Sequence, residues 1–147
     1  MPRAELQAGL AFSQSITVDE TLTVPSVSPR FTGFADMPPV FATAFLVGFV
    51  EWTCIEALRP YLIEGEHTVG THVDMSHTAA TPVGMRVTAT VRLQAIEGRR
   101  LRFHVECRDE REPIGEGTHE RAIIRTASFA GKVEAKRLSS RADVVNS

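Results

Sequence analysis

Apolar and polar residues alternate over residues 10–18, with Leu10, Phe12, Ile16 and Val18 on one side. A period of two predicts a first strand. Residues 21–34 change texture: Pro, Ser and Thr crowd the segment, which predicts an extended connection with no helix of its own. Asp36-Met37-Pro38-Pro39 then reads as a helix start. Asp36 is placed to accept from unpaired first-turn amides, and proline is tolerated there because its missing N–H costs nothing. Over residues 40–58, Phe41, Ala44, Phe45, Gly48, Trp52 and Ile55 recur at three- and four-residue steps until Arg59-Pro60 ends the run. Apolar on nearly every side, this stretch predicts a long buried helix.

The rest of the chain has β character. Residues 68–79 predict a strand, and Thr81-Pro82-Val83-Gly84 a turn. Residues 86–96 alternate, with Val87, Ala89, Val91 and Leu93 on one face and Arg86, Thr88, Thr90 and Arg92 on the other. Glu97-Gly98-Arg99 turns the chain into a return strand carrying Leu101, Phe103, Val105 and Cys107. A further turn at 110–113 leads to a last strand over 114–126. Residues 129–138 read as a short closing helix and 141–147 as a frayed tail. One strand, one long apolar helix and four antiparallel strands make an α+β chain, a curved antiparallel sheet wrapped around one central helix. A single domain over 1–147 follows, with its core at about 8–138. The sheet keeps an open edge, which two copies can cover by pairing, so a homodimer is expected and a tetramer is equally consistent.

Composition narrows the function classes. Sixteen basic against 18 acidic residues give a net charge of −2. That balance argues against general binding to nucleic acid or an anionic membrane, both of which need a basic surface. The apolar-rich run at 40–50 stops at Glu51, far short of a membrane span, and the first 25 residues hold no apolar targeting segment. Cys54 and Cys107 lie in apolar surroundings and read as buried free thiols rather than a disulfide. A soluble, cytoplasmic protein is expected.

Three residues stand out for chemistry. Glu51 interrupts Phe45-Leu46-Val47-Gly48-Phe49-Val50-Glu51-Trp52. A carboxylate buried there must be paired, protonated or at work, unless it shares a wet stripe with Glu56 and Arg59. His77 approaches a turn, where an imidazole suits acid–base work. Thr43 stands near the helix start, about 12 Å from Glu51 along a regular helix. The two can touch directly only if the helix starts later; otherwise a substrate bridges them or they meet across two subunits. His67, His72 and His77 at steps of five do not share a strand face, so no metal site is expected. Gly115 and Gly117 lack the lysine of a phosphate loop and predict a close strand crossing or bulge.

The helix segment 40–52 resembles the central helix of the hot-dog-fold thioesterases, the fluoroacetyl-coenzyme A thioesterase family among them. So do Met75-Ser76-His77-Thr78-Ala79-Ala80-Thr81-Pro82, Ile96-Glu97-Gly98-Arg99-Arg100-Leu101 and Gly117-Thr118-His119-Glu120-Arg121-Ala122, in the same order. The resemblance implies a hot-dog fold, a homodimer and hydrolysis of a short acyl-coenzyme A thioester without a cofactor, coenzyme A being part of the substrate. It implies that Thr43, Glu51 and His77 are the catalytic threonine, glutamate and histidine. It further implies that Gly70 borders the reacting acyl group, that Arg121 supports the site, and that Phe34 and Met37 occupy a lid. Met37 departs from the family pattern, which has a second phenylalanine there; a flexible thioether makes a less rigid gate. Glu51 is expected either to attack the thioester carbonyl or to activate water. Arg86, Arg92, Arg99, Arg100, Arg102 and Arg125 are candidates for the coenzyme A phosphates. Alternative functions on the same frame are a non-catalytic acyl-coenzyme A-binding module and a hydratase or dehydratase.

Overall fold

The computed structural model describes residues 5–146, with side chains over 5–140. Strands β1 (Ala11–Thr17), β2 (Glu66–Met75), β3 (Arg86–Glu97), β4 (Arg100–Arg108) and β5 (Pro113–Arg125) form one antiparallel sheet in the order β1-β3-β4-β5-β2. Helix α1 (Thr43–Leu58) packs on its inner face, and helix α2 (Thr126–Asn146) follows β5. The α+β reading therefore holds. Alternation accounts for the packing, since Val87, Ala89, Val91 and Leu93 of β3 and Leu101, Phe103, Val105 and Cys107 of β4 are all buried. Against them α1 buries Leu46, Phe49, Val50, Thr53, Cys54, Ala57 and Leu58. Each large apolar side chain so buried contributes roughly 2 kcal/mol. On the outer face, Ser13 and Ser15 of β1 pair their hydroxyls with Thr90 and Thr88 of β3 at 2.8 and 2.7 Å.

Four boundaries differ from the sequence reading. Helix α1 begins at Thr43, not at residue 40, and its N-cap is Ala42, which makes no side-chain cap bond. Backbone pairing overrides Asp36: Val40 bridges Pro82, Phe41 bridges Thr23, and the Ala42 N–H donates to the Leu22 carbonyl at 3.0 Å. Residues 21–34 contain three short 3-10 turns, helped by Asp19 Oδ1 accepting from the Thr21 N–H and by Pro25. Strand β2 ends at Met75; beyond it the Ser76 and Thr78 N–H groups still donate to Glu116 and Ile114 of β5. Helix α2 is longer than 129–138 and takes in most of the stretch read as a frayed tail. Its helix-forming Ala, Lys, Glu and Arg residues and the Glu134–Arg137 pair favour that length.

Helix α1 is not covered all round. Ala44, Gly48 and Trp52 are exposed along one stripe, Trp52 at 47%. Strand β2 is an edge of the sheet, with Val73 exposed. Close approach at Gly117 is as expected: a Cβ there would strike the Asp74 carbonyl of β2. Cys54 and Cys107 are free and buried, and burial pushes both thiols up to about 12. Among the described residues no helix is long and apolar enough to cross a membrane.

Candidate active site

Five of the predicted residues gather in two clusters at α1: Thr43 with His77, and Glu51 with Arg121 and Gly70. The first lies at the helix start. Past β2 the chain is pinned to β5 by the Ser76 and Thr78 amides, which leaves His77 between them turned toward α1. His77 Nδ1 lies 2.7 Å from Thr43 Oγ1, and its ring meets Phe41 edge-on at 6.5 Å. His77 Nε2 is buried and has no hydrogen-bond partner among the described residues. Burial pushes the His77 pKa below its usual 6.5, so the ring is neutral at neutral pH. A cleft of about 230 Å³ opens here, lined by Val24, Val40, Phe41, Thr43, His77 and neighbouring residues 78–80. Thr81 locks its two walls together: its carbonyl accepts from the Phe41 N–H at 2.9 Å and its hydroxyl donates to buried Asp109 at 2.9 Å.

The second cluster lies two turns further along. Strand β5 turns His119, Arg121 and Ile123 inward, so two polar side chains sit in the layer beneath α1. Arg121 is 3% exposed. Its Nε donates to Thr68 Oγ1 and its Nη2 to the Thr68 carbonyl, both at 2.8 Å. Its Nη1 reaches Glu51 Oε2 at 3.2 Å and His119 Nε2 at 3.1 Å. Glu51 is thus paired with a buried guanidinium on one oxygen while 41% of its side chain stays exposed. It does not share a stripe with Glu56 and Arg59, which pair with each other. A bulge in β2 between Gly70 and His72 brings the backbone against this cluster. A Cβ on Gly70 would lie 2.6 Å from Glu51 Oε2 and 3.3 Å from His119 Cε1, so the carboxylate depends on glycine at that place.

Thr43 and Glu51 do not meet within one chain. Eight helical residues put them about 12 Å apart and about 80° around the axis. Phe34 packs edge-on against Phe31 at 5.6 Å, Met37 is exposed, and neither lines the cleft. Arg86, Arg92, Arg99, Arg100, Arg102 and Arg125 are all exposed and none lines the cleft. Sequence reasoning missed His119 and Thr68. The signal for His119 was available, because it alternates with Arg121 and Ile123 on one face of a strand. Thr68 carries no such signal. Among the described residues no group of three or more His, Cys, Asp or Glu side chains is arranged to hold a metal ion.

Comparison with known proteins gives these clusters a context. Residues 18–127 match the model of a family described as fluoroacetyl-CoA-specific thioesterase. The chain is 44% identical over 131 residues to the fluoroacetyl-CoA thioesterase of Streptantibioticus cattleyicolor, covering 89% of this chain and 94% of that protein. A solved structure of the fluoroacetyl-CoA thioesterase superposes with a TM-score of 0.87 at 44% identity over 89% of this chain and 97% of the other. A mutant of that enzyme in complex with fluoroacetate and CoA superposes at 0.83 over 84% of this chain and 99% of the other, again at 44% identity. A thioesterase superfamily member from Thermus thermophilus is 29% identical with a TM-score of 0.78 over 94% of this chain and 96% of that one. The fold is the hot-dog fold, a sheet curled around its central helix.

Proposed function

The chain belongs to the fluoroacetyl-CoA-specific thioesterase family, and from that premise we propose that it hydrolyses short acyl-CoA thioesters to acid and CoA through Thr43, Glu51 and His77. The protein is an acyl-CoA thioesterase. One observation carries the site assignment: the Thr43–His77 pair and the Glu51–Arg121 pair both border the uncovered side of α1, yet each is out of the other's reach within one chain. Two copies pairing through the β2 edge and the α1 stripe would close that gap. One protomer supplies Thr43 and His77, and Glu51 of the partner subunit completes the site. A homodimer is therefore the working form.

The chemistry needs a nucleophile for the carbonyl carbon, donors for the oxyanion and a proton for the leaving sulfur. Glu51 supplies the carboxylate that attacks the carbonyl or takes a proton from the attacking water. His77, neutral at neutral pH, is the group through which a proton reaches the sulfur. Thr43 fixes the imidazole by its hydroxyl, and the first turn of α1 offers amides without intrahelical acceptors for the oxyanion. Phe34 and Met37 do not line the cleft themselves, but they stand on the segment that leads into its Val40 and Phe41 wall, and closing of that segment over the acyl group is the lid role assigned to them.

The test is thiol release, followed with a thiol-reactive dye, from acetyl-, fluoroacetyl-, propionyl- and longer acyl-CoA. Turnover of the short esters, falling with chain length, is the expected result. Saturable binding of every ester without thiol release would instead support a binding module.

A further inference from the structure

We propose that His119 is a positioning residue that aims the Arg121 guanidinium at Glu51, acting as a neutral imidazole. This rests on the reading of Glu51 as the working carboxylate. Arg121 is held along one edge by Thr68, which accepts from both Nε and Nη2 at 2.8 Å. These two contacts fix one edge of the guanidinium, and the direction of Nη1 on the far side is set by its own partners. Nη1 bears two N–H groups, and two acceptors stand near it, Glu51 Oε2 at 3.2 Å and His119 Nε2 at 3.1 Å. Glu51 is half-exposed and sits on a flexible side chain, so it follows Nη1 rather than fixing it. His119 is 1% exposed and tied through Nδ1 to the His72 carbonyl at 2.8 Å, and it sets the direction of Nη1.

The ring can do this in one protonation state. His119 Nδ1 lies 2.8 Å from the His72 carbonyl, which only accepts, so Nδ1 carries the proton and donates. Nε2 is left with its lone pair toward the guanidinium. Burial pushes the His119 pKa below its usual 6.5 and keeps the ring in that neutral form. A donor in the same place would turn Nη1 away, and with it the group that holds Glu51. The contact to His72 lies beside the β2 bulge, so the bulge fixes the imidazole as well as the backbone at Gly70.

The two ring nitrogens can be separated by substitution. His119→Asn keeps a donor within reach of the His72 carbonyl and removes the acceptor for Arg121. His119→Gln puts an amide oxygen at the reach of Nε2 and gives up the His72 bond. Positioning through Arg121 predicts that His119→Gln keeps kcat within about threefold, while His119→Asn loses about tenfold or more with KM little changed. A His119→Asn enzyme with wild-type kcat, or equal losses in both variants, overturns the proposal. Glu51→Gln, assayed alongside, separates the two claims. Full turnover there defeats the reading of Glu51 and this inference with it, whereas turnover lost in Glu51→Gln but kept in His119→Asn defeats the inference alone. Should either histidine variant fail to fold, ¹⁵N spectra of the unsubstituted, histidine-labelled protein decide. A proton on Nδ1 and none on Nε2 at pH 7 is required, and a proton on Nε2 overturns the proposal.

Discussion

Thr43 Oγ1 lies 2.7 Å from His77 Nδ1, joining the first residue of α1 to the segment that leaves β2. The contact is made at an exposed threonine, so little of the fold's stability rests on it. Thr43→Ser keeps the hydroxyl and is expected to keep most of kcat. Thr43→Ala is expected to lose roughly tenfold to a hundredfold while its stability changes by no more than about 0.5 kcal/mol. Steady-state kinetics and thermal unfolding of both variants check this.

Burial pushes both His77 and His119 below the usual 6.5. As pH falls through that value the unfolded imidazoles take up protons while the folded ones resist. Unfolding then binds protons, and acid removes stability. The urea midpoint should therefore fall from pH 7 toward pH 5, and His77→Gln should flatten that fall. An activity that needs neutral His77 should hold to below pH 6.5 before it declines. A decline already complete at that pH would count against the role given to His77.

Gly70→Ala sets a methyl 2.6 Å from Glu51 Oε2 and 3.4 Å from Arg121 Nη1. The end of a half-exposed side chain can move aside, so the fold should survive. The carboxylate should not stay in place, and a displacement of about 1 Å at a reacting group costs up to a hundredfold in rate. A near-normal melting temperature with kcat lowered tenfold or more is the expected pair of measurements.

The proposed two-subunit site predicts complementation. Glu51→Gln and His77→Ala homodimers should each be inactive. In dimers reassembled from a 1:1 mixture, half are mixed, and each mixed dimer holds one site with neither substitution. Roughly a quarter of wild-type activity should return if the interface is isologous. No recovery would place all three residues' work within one protomer.

Much of this was legible from residue pattern, and the reasons are local. The alternation in β3 and β4 survives because one face meets α1 and the other solvent, so Val87 to Leu93 and Leu101 to Cys107 read directly as strands. Glu51 announced itself as a charge in an apolar run. The start of α1 did not, because Val40, Phe41 and Ala42 are held extended by Pro82, Thr23 and Leu22, all distant or weakly patterned in sequence. The anchoring of Arg121 was hidden for the same reason. His119 shares a face of β5 with Arg121 and could be read from the alternation, but Thr68 is 53 residues away and only the β2–β5 register brings it to the guanidinium.

The account rests most directly on Glu51. Glu51→Gln retains an oxygen that can accept from Arg121 Nη1, so the buried guanidinium keeps its partners and the fold should hold. Thiol release from acetyl- and fluoroacetyl-CoA by this variant, with its thermal midpoint taken in parallel, is the deciding measurement. The account predicts a folded protein that binds the esters and releases no thiol above background. A folded Glu51→Gln enzyme turning over at the wild-type rate would contradict it.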